Sequence, residues 1–249
     1  MQETKPIISV ITPVLNAEKY IQSCIMNVLA QGLVDKVEHI IYDGGSSDKT
    51  LGIIKGHILQ YPHIRLISVA GTNQSKAMNE AIKLAKGSII AILNVDDFYS
   101  PGVFNDVLSE FKTLAQGSFV VGNLRILKEN DELKRISKPD NLNFDDIVNE
   151  KAEFPWNPSA YFYHRSLHDL IGYYDESDDY AMDLDFVLRV LQTAHVVYRD
   201  LDWGNYRQIP GTKTYENDLT GESMMIKKKV FDRYRRVASR DVPGGSPLK

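Results

Sequence analysis

The chain has 249 residues, of which 43% are hydrophobic and 25% are charged, a composition typical of a globular protein with a sizeable core. Its 29 Lys and Arg residues against 33 Asp and Glu residues give a formal net charge of -4, without the basic excess expected of a nucleic-acid-binding protein. No apolar stretch approaches the roughly 20 residues that span a bilayer, and no secretory signal precedes the first strand. We therefore expect a cytoplasmic protein, and contact with the inner face of a membrane stays open.

The first half of the chain alternates strand and helix patterns. Short β-branched runs predict buried strands, and apolar stripes at helical spacing predict the helices between them. The predicted order is strand 7–12 ended by Pro13, helix 17–30, strand 37–42, a helix capped by Ser47 or Asp48, strand 64–69, helix 75–85, strand 88–95 and a helix opened by Pro101. This alternation predicts an α/β fold with a mostly parallel central sheet flanked by helices.

The single cysteine, Cys24, lies in the first predicted helix. It cannot form an intramolecular disulfide, and its apolar neighbours Ile21, Ile25 and Val28 predict a buried structural thiol. A reducing compartment is expected.

The second half is less regular. Strands are predicted at 119–127, 161–164 and 195–201, a helix at 183–192, and a polar hairpin or loop at 128–143. Residues 154–158 (FPWNP) are too rich in proline for a regular element. We predict one domain over residues 1–240 and a disordered tail at 241–249.

Polar side chains collect where the predicted strands end. Asn16 follows the first strand, Asp43 the second, and Asp96 and Asp97 the fourth. Parallel sheets bind ligands beyond the carboxyl ends of their strands, so this edge is the candidate site.

Asp96 and Asp97 form the sharpest signal. Two adjacent carboxylates after an apolar strand favour a bound cation, and oxygen ligands suit Mg²⁺ or Mn²⁺. The alternative is that both residues cap the helix near Pro101. Similarly, Asp43 could accept hydrogen bonds from a base or ribose, or it could belong to a plain strand-to-helix turn.

Four motifs follow one another at successive strand ends: TPVLN at 12–16, DGGSSDKT at 43–50, AMN at 77–79 and NVDD at 94–97. The series resembles the nucleotide-binding half of the family 2 glycosyltransferases, which have the A-type glycosyltransferase fold. The resemblance is strong over residues 7–100 and looser beyond. It implies a nucleotide-sugar-binding half at about 7–100, an acceptor and catalytic half at about 101–220, and a basic C-terminal helix at 221–240.

The resemblance also implies roles for the residues that bind the nucleoside. Thr12, Pro13 and Asn16 correspond to the loop that wraps the nucleoside. Asp43 corresponds to the acid that contacts the base, which is typically uracil.

Further positions are carried over for the donor, the metal and the chemistry. Lys76 and Asn79 are expected near the donor, Asp96 near the ribose or the metal, and Asp97 as the principal metal ligand. Asp183 corresponds to the catalytic base, although its nearby rival Asp185 would face away from it on a helix.

The sequence departs from the family pattern at two places. Met182 replaces the Glu that usually precedes the base in one large subgroup, and Asn94 or Val95 replaces the first acid of an Asp-x-Asp motif.

The function expected from the resemblance is metal-assisted, inverting transfer of a sugar from a nucleoside-diphosphate donor. We expect a UDP-sugar, Mn²⁺ or Mg²⁺, and a saccharide or lipid-linked acceptor in polysaccharide or glycolipid biosynthesis. The alternatives are a sugar-nucleotide nucleotidyltransferase and a non-catalytic sugar-nucleotide-binding protein. The Gly-rich loop with Arg and Lys that nucleotidyltransferases carry after strand one is replaced here by residues 13–17 (PVLNA).

Three features of the second half have two interpretations each. Six aromatic residues either supply acceptor surface or fill the core: Phe154, Trp156, Tyr161, Phe162, Tyr173 and Tyr174. Trp203 and Arg207 are predicted in a flexible loop near the diphosphate. The basic segment 224–237 either lies on an anionic membrane or forms a solvated helix that packs its apolar stripe on the body.

Overall fold

The structure, a computed structural model, describes residues 5–139, 141–177 and 181–240. The predicted disordered tail at 241–249 lies outside these residues. The strands are β1 Ile8–Val14, β2 Val37–Asp43, β3 Ile64–Ser68, β4 Ile89–Ile92, β5 Phe98–Tyr99, β6 Ser118–Lys128, β7 Leu133–Ser137, β8 Tyr161–His164 and β9 His195–Gln208.

The helices lie between and after these strands. They are α1 Ile21–Ala30, α2 Thr50–Ile58, α3 Gln74–Leu84, α4 Val103–Glu110, α5 Phe144–Val148, α6 Leu167–Ile171, α7 Met182–Thr193, α8 Lys213–Thr220 and α9 Glu222–Arg240. A short 3-10 turn covers Pro158–Ala160. Among the described residues, no helix combines the length and the apolar character needed to cross a membrane.

One sheet contains the described strands in the order β3-β2-β1-β4-β8-β6-β9-β5, with β7 paired to β6. The first four of these strands are mutually parallel. In the second half, β8 runs antiparallel to both β4 and β6, whereas β6 and β9 are parallel. The predicted α/β fold class, with a parallel first half and a mixed second half, is confirmed.

Helices cover both faces of the sheet. One face buries Ile11 and Ile90 against Met78 of α3, and the other buries Val10 against Cys24 of α1. Side chains alternate between the two faces along each strand, so neighbouring residues enter different parts of the core. The predicted burial of Cys24 is confirmed.

The first strand continues through Pro13, where the sequence predicted its end. Ile11 accepts a hydrogen bond from Leu93 on the β4 side of β1. The backbone groups of residues two apart in a strand point to the same side, so the backbone N of Pro13 also points toward the β4 side. However, β4 ends at Ile92, before it reaches Pro13. A backbone N–H is therefore not required at Pro13.

The helix-cap interpretation of Asp96 and Asp97 is wrong. The short strand β5 separates both residues from α4, and the helix begins after Gly102, whose φ of 83° lies in the left-handed region. The predicted strand 88–95 is also shorter in the structure, because the chain leaves the sheet at Ile92. Asp96 and Asp97 therefore lie in an irregular segment between β4 and β5.

The cap of α2 also differs from the prediction. The N-cap residue is Lys49, without a side-chain cap, although Asp48 Oδ1 accepts a hydrogen bond from the backbone N of Thr50 at 3.0 Å.

The predicted flexible loop around Trp203 and Arg207 is wrong, because β9 extends from His195 to Gln208. Trp203 is fully buried, and its indole covers Gly122 so closely that a Cβ there would lie 2.7 Å from the indole Cδ2. The extension places Arg207 on a strand beside the irregular segment.

Candidate active site

The loops after β1 and β2 are tied together by Asn16. Its backbone lies in the left-handed region with φ 50°, a conformation that Asn tolerates better than most residues. Asn16 Oδ1 accepts a hydrogen bond from the backbone N of Ser47 at 2.9 Å, and its own backbone N donates to Oγ of Ser46 at 2.8 Å. The side chain of Asn16 remains exposed at this edge of the sheet.

Asp43 closes the turn after β2 from a fully buried position. Its Oδ2 accepts hydrogen bonds from the backbone N of Gly45 at 3.0 Å and from Ser68 Oγ at 2.8 Å. The backbone N of Ser46 donates to Oδ1 at 3.1 Å. The carboxylate therefore holds its own turn, and only Oδ1 keeps acceptor capacity for a further donor.

The side chain of Thr12 points into the core. It is fully buried, and its Oγ1 lies 2.9 Å from Nε2 of His39. Pro13 is half-buried. Of the three residues expected around the nucleoside, only Asn16 presents an exposed side chain, so Thr12 can contribute to that site only through its backbone.

Lys76 and Asn79 lie on α3 with different surroundings. Lys76 is exposed in the first turn, where its backbone N donates to the N-cap side chain of Asn73 at 3.0 Å. Asn79 is buried; its Nδ2 donates to the carbonyl of Tyr174 at 2.9 Å and to Glu176 Oε1 at 3.0 Å. Asn79 thus fixes the loop before α7, and Lys76 is the member of the pair that can reach a ligand.

Asp97 is buried in the segment between β4 and β5 and is held from three directions. Asn157 Nδ2 donates to its Oδ2 at 2.7 Å, and Asn94 Nδ2 donates to the same oxygen at 3.3 Å. The backbone N of Arg207 donates to Oδ1 at 3.3 Å. Asp96, the neighbouring acid, is half-buried.

The negative charges of Asp96 and Asp97 are unfavourable in this position, as the shifts of their pKa values indicate. Burial raises the pKa of Asp97 well above its usual value, and repulsion from Asp96 raises it further, against the hydrogen bonds from Asn157, Arg207 and Asn94. Burial also raises the pKa of Asp96, partly offset by a hydrogen bond with its own backbone and by the charge of Arg207. A cation between the two carboxylates would relieve both effects.

The donor set fits a divalent cation that takes its remaining ligands from a substrate. Two adjacent carboxylates suit Mg²⁺ or Mn²⁺, which commonly bind one or two acids together with phosphate oxygens and water. No group of three or more His, Cys, Asp or Glu residues that could hold a metal ion occurs in the part of the chain that the structure describes. A cation held by Asp96 and Asp97 would therefore take its remaining ligands from a bound diphosphate and from water.

Arg207 braces this segment from β9. Its guanidinium lies 4.3 Å from the ring centroid of Phe98 and donates to the carbonyl of Asp96 at 3.2 Å. It also pairs with Asp131 at the tip of the β6–β7 hairpin, with Nε 2.5 Å from Oδ1. The guanidinium of Arg207 thus joins three parts of the molecule: the β6–β7 hairpin, β9, and the segment between β4 and β5 that carries Asp96 and Asp97, called here the acidic segment.

A cavity of about 350 Å³ opens beside this segment, between it and α1. It is lined by Ser23, Met26, Asn27, Asp97, Phe98 and Arg207.

Asp183 lies in the first turn of α7, beside a buried layer of tyrosines. Burial raises the pKa of Tyr161 and of Tyr174 well above the usual value, and the charge of Asp183 adds to both shifts. The pKa of Tyr163 rises from the same two causes. Asp183 therefore lies close to Tyr161 and Tyr163 of β8 and to Tyr174 in the loop before α7.

Asp185, the rival for the role of base, faces elsewhere. Its Oδ2 pairs with Nε of Arg189 at 2.9 Å, and its Oδ1 accepts a hydrogen bond from the Tyr234 hydroxyl at 2.9 Å and pairs with Arg233. These contacts join α7 to α9. Asp185 is thus committed to holding the C-terminal helix.

Most of the candidate acceptor aromatics belong to the core. Phe154, Tyr161, Phe162 and Tyr174 are buried, Trp156 is half-buried, and Tyr173 is exposed. Only Trp156 and Tyr173 can offer ring surface to a ligand.

A family model described as "Glycosyl transferase family 2" matches residues 9–182, which include every candidate site residue except Asp183, one position beyond the match. The chain belongs to this family.

Relatives of this family 2 chain include polysaccharide synthases. Chondroitin synthase of Escherichia coli is 36% identical over 107 residues, which make up 43% of this chain and 16% of the relative. The glycosyltransferase EpsJ of Bacillus subtilis, described as uncharacterized, is 27% identical over 223 residues, or 84% of this chain and 63% of the relative. The chain thus spans less than two thirds of both relatives.

The fold is shared with a solved structure, S. aureus TarS 1-349 in complex with UDP-GlcNAc. The TM-score is 0.68 at 18% identity, and the match covers 83% of this chain and 60% of that chain. The same protein in complex with UDP gives a TM-score of 0.65. The family 2 chain therefore has the A-type glycosyltransferase fold that its sequence predicts.

The sequence predicts no role for Asn157, which lies in the proline-rich segment. It predicts Arg207 near the diphosphate, but in a loop and without a contact to Asp97. Their approach to Asp97 depends on pairing between distant strands, which no local pattern reveals. The one available signal was the proline pair around Trp156 and Asn157, which predicts a rigid extended segment whose side chains are well fixed.

Proposed function

We propose that this chain transfers a sugar from a UDP-sugar to a hydroxyl group of a saccharide or lipid-linked acceptor, with inversion at the anomeric carbon. The observation that carries the proposal is the pair formed by the half-buried Asp96 and the buried Asp97 at the carboxyl edge of β4, where both pKa values are raised mainly by desolvation. Family membership supports sugar transfer, and the TarS complexes with UDP-GlcNAc and UDP support a uridine donor on this fold. Polysaccharide or glycolipid biosynthesis is the proposed setting.

The donor would lie across the loops after β1, β2 and β4. Asn16 and Asp43 border the nucleoside end, and Asp97, with Asp96, would hold Mn²⁺ or Mg²⁺ against the diphosphate. When bound, the cation supplies Lewis-acid stabilisation of the charge that develops on the leaving UDP. The exposed Lys76, at the start of α3, would add a positive charge that attracts the diphosphate.

Asp183 is the proposed base. As the acceptor oxygen attacks the anomeric carbon, the bond from that carbon to the phosphate oxygen breaks and UDP leaves. The acceptor proton passes to the Asp183 carboxylate. Attack from the face opposite the leaving group inverts the anomeric configuration, an outcome that rests on the family resemblance.

The test is a donor panel that measures nucleoside-diphosphate release from UDP-, GDP- and dTDP-sugars with Mn²⁺, with Mg²⁺ and with chelator. We expect release from a UDP-sugar that needs a divalent cation and is lost in Asp97→Asn. The matched control is Asp145→Asn, which removes an exposed acid on α5. Undiminished release with chelator would contradict the role of Asp97, and no release from any donor with a range of acceptors would favour a non-catalytic binding protein.

A further inference from the structure

The C-terminal helix α9 attaches to the body by one face. Val230 and Phe231 are buried on this face, and the ring of Phe231 lies 6.0 Å from that of Trp156. Ile226 and Tyr234 pack against the same core at partial burial. These positions recur every three to four residues, as expected for the apolar stripe of a docked amphipathic helix. The solvated-helix interpretation therefore accounts for this face of α9.

Several basic residues of α9 are used in this attachment. Lys227 Nζ lies 3.3 Å from Glu150 Oε1, and Arg235 Nη2 lies 3.8 Å from Glu150 Oε2. Arg233 pairs with Asp185 of α7. Their charges are balanced by the protein itself, so they add little to any external attraction.

The opposite face of α9 carries apolar and basic side chains that the fold leaves outside. Met224 and Met225 are 77% and 70% exposed, and Leu219, at the end of α8 just before the turn, is 67% exposed. Of the large hydrophobic residues that the structure describes, only Leu59 is more exposed than these three. Exposed apolar side chains scattered singly are ordinary, but three within seven residues form a patch.

Two lysines extend this patch. Lys228 follows Met224 by four residues and Lys229 follows Met225 by four, so each lysine lies one helical turn beyond a methionine on the same face. Both are exposed, and neither forms an ion pair with any residue that the structure describes. Glu222, also exposed, lies at the edge of the same face and offsets part of the charge.

We propose that Leu219, Met224, Met225, Lys228 and Lys229 form a docking surface for an anionic lipid bilayer, called here the outer face of α9. Methionines next to unpaired lysines match the layering of a membrane interface, where apolar side chains enter the acyl boundary while ammonium groups remain at the anionic headgroups. Charge complementarity selects a bilayer with anionic lipid over a neutral one.

The surface is also connected to the candidate site. Asp185 ties α9 to the first turn of α7, the turn that also carries Asp183. The docking proposal does not depend on the proposed sugar transfer, because binding to lipid can be measured without turnover.

The test is vesicle sedimentation of the full chain with phosphatidylcholine vesicles and with vesicles that also contain phosphatidylglycerol. We expect salt-sensitive binding to the anionic vesicles alone. Lys228→Glu/Lys229→Glu should weaken it by roughly 30-fold or more, because each basic residue near an anionic surface contributes about fivefold. Met224→Ser/Met225→Ser should weaken it by about tenfold or more.

The matched control is Lys55→Glu/Lys112→Glu, which changes net charge equally at exposed lysines on α2 and after α4. This variant should sediment as the wild type does, and circular dichroism should be the same for all four proteins. Equal loss in the control pair, unchanged binding in the Lys228/Lys229 variant, or equal binding to neutral vesicles would each overturn the proposal. A dimer in solution that Met224→Ser/Met225→Ser converts to monomer, without any lipid binding, would assign the face to a second copy instead.

Discussion

Asn157 joins the two halves of the molecule at the candidate metal site, because its Nδ2 donates a 2.7 Å hydrogen bond to Oδ2 of Asp97. Its Oδ1 at the same time accepts from the backbone N of Ser159 at 2.9 Å and so caps the 3-10 turn that leads into β8. One amide group thus orients the acid of the first half and starts the strand of the second.

Asn157→Ala should lower metal-dependent turnover by about 10- to 100-fold, the usual cost of removing a residue that orients a metal ligand. Asn143→Ala is the matched control, since Asn143 caps α5 in the same way through Asp146 but makes no hydrogen bond to Asp97. Both variants should lose about 1 kcal/mol of stability. Steady-state kinetics and thermal unfolding measure the two effects, and equal turnover in the two variants would contradict the orienting role.

Asp183→Asn should lower kcat by about 10²- to 10⁴-fold while the affinity for UDP stays unchanged. The amide keeps the shape of the side chain but cannot take the acceptor proton. Asp169→Asn, which alters an exposed acid in the first turn of α6, should leave kcat unchanged. Turnover and isothermal titration with UDP separate these outcomes, and near-full activity of Asp183→Asn would assign the base elsewhere.

Gly45→Ala should destabilise the protein by about 1–3 kcal/mol. Gly45 has φ 105°, and a Cβ there would lie 2.8 Å from Cα of Ala70, so both the backbone conformation and the space exclude a side chain. Gly56→Ala, in the open middle of α2, should instead stabilise by about 0.5–1 kcal/mol. Urea unfolding of the pair measures the difference. Equal midpoints would mean that the turn around Asp43 adapts.

The free energy of unfolding should fall as the pH is lowered below about 6.5, because His39 stays neutral in the folded chain but becomes protonated in the unfolded chain. Burial, with a smaller contribution from the charge of His63, lowers the pKa of His39 to about 3. The unfolded chain binds this proton below about pH 6.5, whereas the folded chain does not until about pH 3. The favourable contribution is therefore complete above about pH 6.5 and is lost progressively on acidification, by up to about 5 kcal/mol.

Denaturant unfolding at several pH values from about 7.5 to about 4 measures this slope. His39→Gln should flatten it. His168→Gln is the comparison, because burial lowers the pKa of His168 to about 4, and that variant should flatten the slope less. Identical slopes for wild type and His39→Gln would exclude His39 as the source.

The parallel first half was predictable because each strand and helix there is encoded locally. Periodicity located β1 through α3, and placed Asp43, Asp96 and Asp97 at one edge of the sheet. Periodicity could not reveal that the Thr12 side chain points into the core toward His39, because this depends on which helix packs on each face of β1. The strand extension that brings Arg207 to Asp97 was hidden for a related reason: Gly204 interrupts the pattern, and pairing with β6 and β5 keeps the chain extended.

The functions of the site residues stay predictions, but their placement already separates two groups. Asn16, Lys76 and Asp96 have side chains that solvent reaches, whereas Asp43 and Asn79 are buried and are occupied by protein hydrogen bonds. A sequence motif does not distinguish a residue that touches the ligand from one that shapes the loop around it. This difference depends on the direction of each side chain.

The contact between the backbone N of Arg207 and Asp97 spans 110 positions of the chain. During synthesis on the ribosome, at about 5–20 residues per second, the acidic segment emerges roughly 5–20 s before the strand that braces it. We therefore expect a nascent chain that ends before β9 to form the parallel half while the candidate metal site still lacks the hydrogen bond from Arg207. Because β9 is synthesised last among the described strands, an incomplete chain would lack the contacts that the proposed donor site needs and would not bind the donor prematurely.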